Sequence, residues 1–338
     1  MIAAATATEC AQAHERPYLR APQPADAALL VASRGSGSLV HACFAELARF
    51  LDTGDLLVVN TSATLPAALP AYLDGEQIEL HLSTPAGPHG WVVELRTTDR
   101  RPLHAPIGAR LELPVGASAE LLAPYLGSSR LSVARLSLGA PVKDYLARHG
   151  HPIRYRHTRA DRPIDAYQTV FAREPGSAEM PSAARPFTAG LVGGLVSHGV
   201  LIAPITLHCG VSSLEAGESP YPERYRVPAA TARLVNAVRD WGGRVIAVGT
   251  TVVRALETVV APNGSVSAGA GLTRLEVTPE RGLHAIDGLI TGWHEPESSH
   301  LSLLEAAAGP DLLRRSYAAS HAAGYRFHEF GDSHLILP

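Results

Sequence analysis

From about Ala67 to Pro152 the chain reads differently from what lies on either side. Ile78–Leu82, Trp91–Arg96, Arg110–Leu113 and Leu131–Leu136 alternate apolar with polar residues, separated by Gly, Pro and Asp turns at short intervals. That is the pattern of a small antiparallel sheet or barrel. On both flanks, strands alternate with helical spacing, the rhythm of an α/β fold. An all-β insert inside an α/β chain leaves few architectures open. We expect a mixed-sheet α/β domain built discontinuously from residues 1–66 and 153–338, interrupted by an inserted small antiparallel β-barrel domain, 67–152. A length of 338 residues is long for a single core and agrees with two domains.

The flanks supply the remaining elements. Leu29–Ser33, Asp55–Asn60, Leu201–Leu207, Val245–Val248, Leu283–Thr291 and His334–Leu337 read as strands. Phe44–Leu51, Val142–His149, Ala189–Ser197, Ala229–Trp241, Leu301–Ala308 and Asp311–Ala323 read as helices. The stretch from Ala189 to Leu207 is the most apolar, but Gly193-Gly194, His198-Gly199 and Pro204 break it into a helix and a strand, so no membrane span is expected. Met1–Glu9 lacks the basic and strongly apolar regions of a signal peptide and reads as a loose arm.

Composition excludes some partners. A net charge of −3 offers no overall attraction to nucleic acid. The dense positive run Arg154, Arg156, His157, Arg159 and Arg162 reads as a solvated linker leaving the insert. Cys10, Cys43 and Cys209 are widely spaced without Cys-x-x-Cys, which points away from a disulfide framework or a cysteine zinc site and towards a reducing cytoplasm. Dinucleotide, P-loop and zinc-protease motifs are absent.

The segment Arg244-Val-Ile-Ala-Val-Gly-Thr-Thr-Val-Val-Arg254-Ala-Leu-Glu257 predicts a buried strand, a tight turn at Gly249-Thr250-Thr251 and a helix. One reading is an ordinary βα junction, with Thr251 as N-cap and Arg254 paired to Glu257 on the helix surface. The other is an anion site, in which turn N–H groups, two hydroxyls and Arg254 receive a carboxylate or phosphate. Further polar residues fall where strands end: Asn60, His208, His294 and Gly331-Asp332. Open α/β sheets place ligands at such ends. The histidines suit acid/base work because imidazole titrates near neutrality; Asp332 suits orienting a histidine, binding a hydroxyl or capping a turn.

Taken together, the motifs resemble the S-adenosylmethionine:tRNA ribosyltransferase-isomerases of queuosine biosynthesis. The resemblance rests on Gly54-Asp-Leu-Leu-Val-Val-Asn60 with Pro66-Ala67, on Tyr167-Gln-Thr-Val-Phe-Ala172 with Pro175-Gly-Ser177, and on Thr206-Leu-His-Cys-Gly210. It continues through Gly243-Arg-Val-Ile-Ala-Val-Gly-Thr-Thr251 with Arg254 and Glu257, Asp287-Gly-Leu-Ile-Thr291 with His294 and Pro296, and Tyr325-Arg-Phe327 with Gly331-Asp332. It implies S-adenosylmethionine as co-substrate and no metal or redox cofactor. The ribosyl part would be moved and rearranged while adenine and methionine leave. By the same resemblance His208, His294, Glu223 and Asp332 are catalytic candidates. Asn60, Tyr167, Gln168, Gly249, Thr250, Thr251 and Arg254 are candidates for binding S-adenosylmethionine.

Departures from the family pattern cluster elsewhere. Asp-Thr-Arg after the asparagine is Thr61-Ser62-Ala63 here; a histidine is replaced by Pro186; His-Ser-Glu becomes Tyr221-Pro-Glu223. An arginine has become Glu215 and a lysine Glu297. Such changes remove phosphate contacts and add repulsion. They make tRNA a disfavoured partner and favour a small-molecule acceptor, 7-deazapurine-like, in a diverged cytoplasmic member, monomeric by default.

Overall fold

A computed structural model of the chain describes residues 26–87, 90–154, 162–211, 220–294 and 300–338. The N-terminal arm, Glu215, Glu297, Arg156, His157 and Arg159 lie outside the described residues.

The larger sheet has nine strands, in the spatial order Gly269–Thr273, Glu223–Val227, Leu201–Leu207, Leu56–Asn60, Val245–Val248, Gly288–Gly292, Ser333–Leu337, Ala28–Ser33, Leu39–Cys43. The central four, Leu201–Leu207 to Gly288–Gly292, are mutually parallel; Ser333–Leu337 runs antiparallel to Gly288–Gly292. The sheet is therefore mixed. Alternate residues of the parallel strands enter different cores. Leu56, Val58, Val245 and Ala247 pack with Val235, Val252 and Leu256 from helices on one face. Leu57, Val59, Ile246 and Val248 pack with Phe187 and Leu195 on the other. Burial on both faces explains why these strands read as continuous apolar runs.

The second sheet contains Ala68–Leu73, Glu76–Pro85, Gly90–Thr97, Arg110–Glu112, Ser118–Pro124 and Leu131–Ser137, and pairing of Leu131–Ser137 with Gly90–Thr97 closes it. Leu69, Leu80, Leu82, Val93, Leu111 and Leu121 fill the closed barrel. One side of that barrel carries charge: Glu94, fully buried, accepts from Arg96 Nη2 and Arg130 Nη1 at 2.6 Å each. Glu94 also lies 3.4 Å from His81 Nδ1, and His81 Nε2 lies 3.2 Å from Glu79.

Several local expectations change. Phe44–Phe50 is a 3-10 helix, not an α-helix. The strand expected over Leu283–Thr291 is confined to Gly288–Gly292. Cys209 is free and buried, and Cys10 lies outside the described residues. Among the described residues, no helix is long and apolar enough to cross a membrane.

Candidate active site

Because the four central strands are parallel, their C-terminal ends share one edge of the sheet; Asn60 is the last residue of its strand, and His208, the Gly249 turn and His294 follow theirs. The antiparallel neighbours bring Glu223 and Asp332 to the same edge, since Leu207 pairs with Tyr225 and Gly292 with Ser333. The opposite edge is occupied by structural charge. There Asp55 accepts from Arg244 Nε at 3.0 Å, and Asp287 accepts from the Val245 N–H at 2.8 Å.

Asn60 ties three strand ends together. Its Nδ2 donates to the Leu207 carbonyl at 2.8 Å and to Thr251 Oγ1 at 3.2 Å, while its Oδ1 accepts from the Leu207 and Ser62 N–H groups at 3.0 Å each. Both donors and both acceptor positions are thus engaged. Asn60 builds the site and has no side-chain bond left for a ligand.

The turn itself has Gly249 as N-cap at φ 100°, a conformation natural to glycine. Thr251 is a helical residue there, so the expectation that it is the N-cap is corrected. The Thr250 and Thr251 N–H groups have no partner among the described residues. Nor does Arg254 pair with Glu257: it donates through Nη1 to Glu223 and through Nε to the Leu275 carbonyl at 3.1 Å. Glu257 instead accepts from Arg281 at 2.6 Å and from the His284 and Ala285 N–H groups. Arg254 is 9% exposed, and its Nη2 is buried without a partner. Glu223 Oε1 also accepts from the Gly210 N–H at 3.2 Å. Burial, countered by Arg254, raises the Glu223 pKa above the ordinary carboxylate value.

His208 Nδ1 lies 2.7 Å from Ser62 Oγ, which lies 2.6 Å from Ser177 Oγ; Ser177 accepts from the Cys209 N–H at 2.9 Å. Gly176 backs the imidazole so closely that an added Cβ would stand 2.4 Å from Nδ1 and Cε1. Burial, and next Arg224, lowers the His208 pKa to about 4. His294 Nε2 is 3.1 Å from Thr291 Oγ1, and its ring lies 4.6 Å from that of His300. Burial first, then His300 and His328, lowers the His294 pKa well below the ordinary value. The His300 pKa is lowered to about 4 by burial and then by Arg254. Both candidate histidines are therefore neutral at neutral pH.

Two assignments are redirected. Asp332 was a catalytic candidate, but its Oδ1 accepts from the Ala28 N–H at 3.0 Å and Arg326 Nη2 at 2.8 Å, and its Oδ2 from the Arg326 N–H at 2.7 Å. At 2% exposure it fastens the first strand to the last. Gln168 bonds both ways to Thr64, accepting from its N–H at 3.0 Å and donating to its carbonyl at 2.8 Å, so it acts as one rung of backbone. Tyr167 packs edge-on to Phe330 at 5.2 Å, with its hydroxyl buried and unbonded. His300 carries no sequence signal; Gly176 and Ser177 enter only inside the Pro175-Gly-Ser177 motif, and Ser62 only within Thr61-Ser62-Ala63. Pro175-Gly-Ser177 was the available signal, since a glycine beside a buried serine marks close approach. Among the described residues no group of three or more His, Cys, Asp or Glu side chains is arranged to hold a metal.

The family model described as "Queuosine biosynthesis protein" matches residues 13–336. The chain belongs to the queuosine biosynthesis protein family. Within that family it is similar to the S-adenosylmethionine:tRNA ribosyltransferase-isomerase of Thiobacillus denitrificans, at 36% identity over 93% of this chain and 92% of the relative. The enzyme of the same name from Moorella thermoacetica is 37% identical over 93% and 94%. A crystal structure of an S-adenosylmethionine tRNA ribosyltransferase from Thermotoga maritima superposes with a TM-score of 0.52 at 28% identity, covering 95% of this chain and 96% of that one. The mixed α/β sheet with a closed antiparallel barrel expected from sequence is the fold found.

Proposed function

We propose that the chain consumes S-adenosylmethionine, acting at its ribosyl end with release of adenine and methionine. The observation that carries this reading is the helix N-terminus at Gly249–Thr251, at the sheet edge, with Arg254 on the same helix. Two N–H groups at a helix N-terminus lack partners among the described residues, and the buried Arg254 keeps one nitrogen unbonded. A helix N-terminus and a buried guanidinium both favour an anion, which we take to be the methionine carboxylate. In this reading His208 and His294 stand beside the ribosyl and adenine groups, and Glu223 holds Arg254 in place.

For the acceptor we favour a small 7-deazapurine-like molecule, because Glu215 and Glu297 replace basic residues of the family pattern and would repel phosphate. Identity of 36–37% along nearly the full length of the tRNA-named relatives supports a second reading, the unchanged transfer to 7-aminomethyl-7-deazaguanine in tRNA. Mass spectrometry separates them. The free base gaining the ribosyl-derived mass while modified tRNA does not is the expected result; gain on tRNA alone establishes the second reading.

A further inference from the structure

We propose that Ser177 and Ser62 fix His208 in the tautomer protonated at Nε2, so that the imidazole presents a hydrogen-bond donor, not a base, at the sheet edge. Where the hydrogens of this chain can go decides it. The Ser177 oxygen receives the Cys209 N–H at 2.9 Å, so its own hydrogen is available to Ser62 at 2.6 Å. Ser62 then turns its hydrogen to His208 Nδ1 at 2.7 Å. Every hydrogen thereby meets an oxygen or nitrogen acceptor, and Nδ1 is left unprotonated.

The reverse direction fails at its far end. If Nδ1 carried the proton and gave it to Ser62, Ser62 would donate to Ser177, and the Ser177 hydrogen would face only the Cys209 sulfur. That thiol, whose pKa burial raises well above its usual value, is a weak acceptor. Ser177 is fully buried and Ser62 is 1% exposed, so water does not replace the missing partner. Gly176 adds the mechanical part, because its bare backbone lets the Nδ1 edge of the ring approach where any side chain would collide.

Nε2 has no partner among the described residues and is not among the buried unbonded atoms, so it is reachable from the edge. A neutral imidazole holding its proton at Nε2 gives it up only as an imidazolate, which makes it a fixed donor to a lone pair or a developing negative charge. On the function proposed above, that acceptor belongs to the adenine or ribosyl part of S-adenosylmethionine, and proton abstraction falls to another group. Ser62 and Ser177 are positioning residues acting through His208.

Nitrogen NMR of the full chain with labelled histidine, at neutral pH and without substrate, tests the tautomer directly; the His208 signals are identified by their loss in His208→Gln. Unprotonated Nδ1 with protonated Nε2 is the expected pattern, and protonated Nδ1 overturns the proposal. Ser62→Ala should mix the tautomers and Ser62→Thr should restore the original one; an unmixed pattern in Ser62→Ala also overturns it. In adenine release, Ser62→Ala should lower kcat roughly tenfold or more with little change in KM, rescued by Ser62→Thr. The NMR result needs no turnover. The expected tautomer in a chain that leaves S-adenosylmethionine intact supports this inference and counts against the function alone.

Discussion

At Gly176 a single methyl group separates a working arrangement from a blocked one, since its Cβ would lie 2.4 Å from two atoms of the His208 ring. Gly176→Ala should leave the circular dichroism spectrum intact while adenine release falls by about 10²-fold or more, the scale of losing one aligned donor. Asn60→Ala should cost about 2 kcal/mol or more, measured by urea denaturation, because it leaves the buried Leu207 N–H and carbonyl unbonded. Acid should also destabilise the protein. His208 and His300 have folded pKa values of about 4, and His334, fully buried against Trp293, one of about 3. Each lies below the ordinary 6.5, so the unfolded chain binds more protons, and stability should fall as pH drops from about 6.5 through 4. His81 has the opposite sign: its pKa is raised although burial opposes it, and its contribution is lost only as pH rises above 6.5 through the folded value. A melting temperature constant between pH 6.5 and 4.5 would contradict the burial of the first group.

Elements were legible where a period and a boundary coincided. The helix Ala229–Asp240, entered from Pro228, and the strand Val245–Val248 emerged as read. The strand Ala68–Leu73 is hidden in the sequence because Pro70 and two alanines mask its alternation, although Pro70 faces Glu79 in register. Gly269–Thr273 carries two glycines among five residues and reads as a loop, yet it pairs fully with Glu223–Val227. Partner strands supplied what local preference did not. The barrel holds the clearest energetic prediction at this scale. Glu94 has a pKa of about 2, with burial opposing and His81, Arg96 and Arg130 lowering it. Glu94→Gln would leave two guanidiniums and His81 without their shared counter-charge, and we expect about 3–5 kcal/mol of lost stability in the same denaturation assay.

For the whole molecule, the sequence located the site edge but not the direction of each side chain. Strand ends converge because parallel strands end together, and that rule placed Asn60, His208, Gly249 and His294 correctly. It said nothing of rotamers, so Asn60 and Asp332, both at the edge, turn out to hold backbone. The relay behind His208 escaped notice because Ser62, Ser177 and Cys209 are brought together only by the fold, 115 residues separating the two serines. We propose the boundaries near residues 67 and 152 as the limits of the barrel domain, whose strands run from Ala68 to Ser137. The central claim is that the Gly249–Thr251 turn and the two histidines act on S-adenosylmethionine, and the most direct measurement is chromatographic detection of adenine and methionine after incubation with that compound, with and without a free 7-deazapurine or modified tRNA. Adenine and methionine released in equal amounts, and lost in His208→Gln and His294→Gln, is the expected result; S-adenosylmethionine recovered intact from every mixture would contradict it.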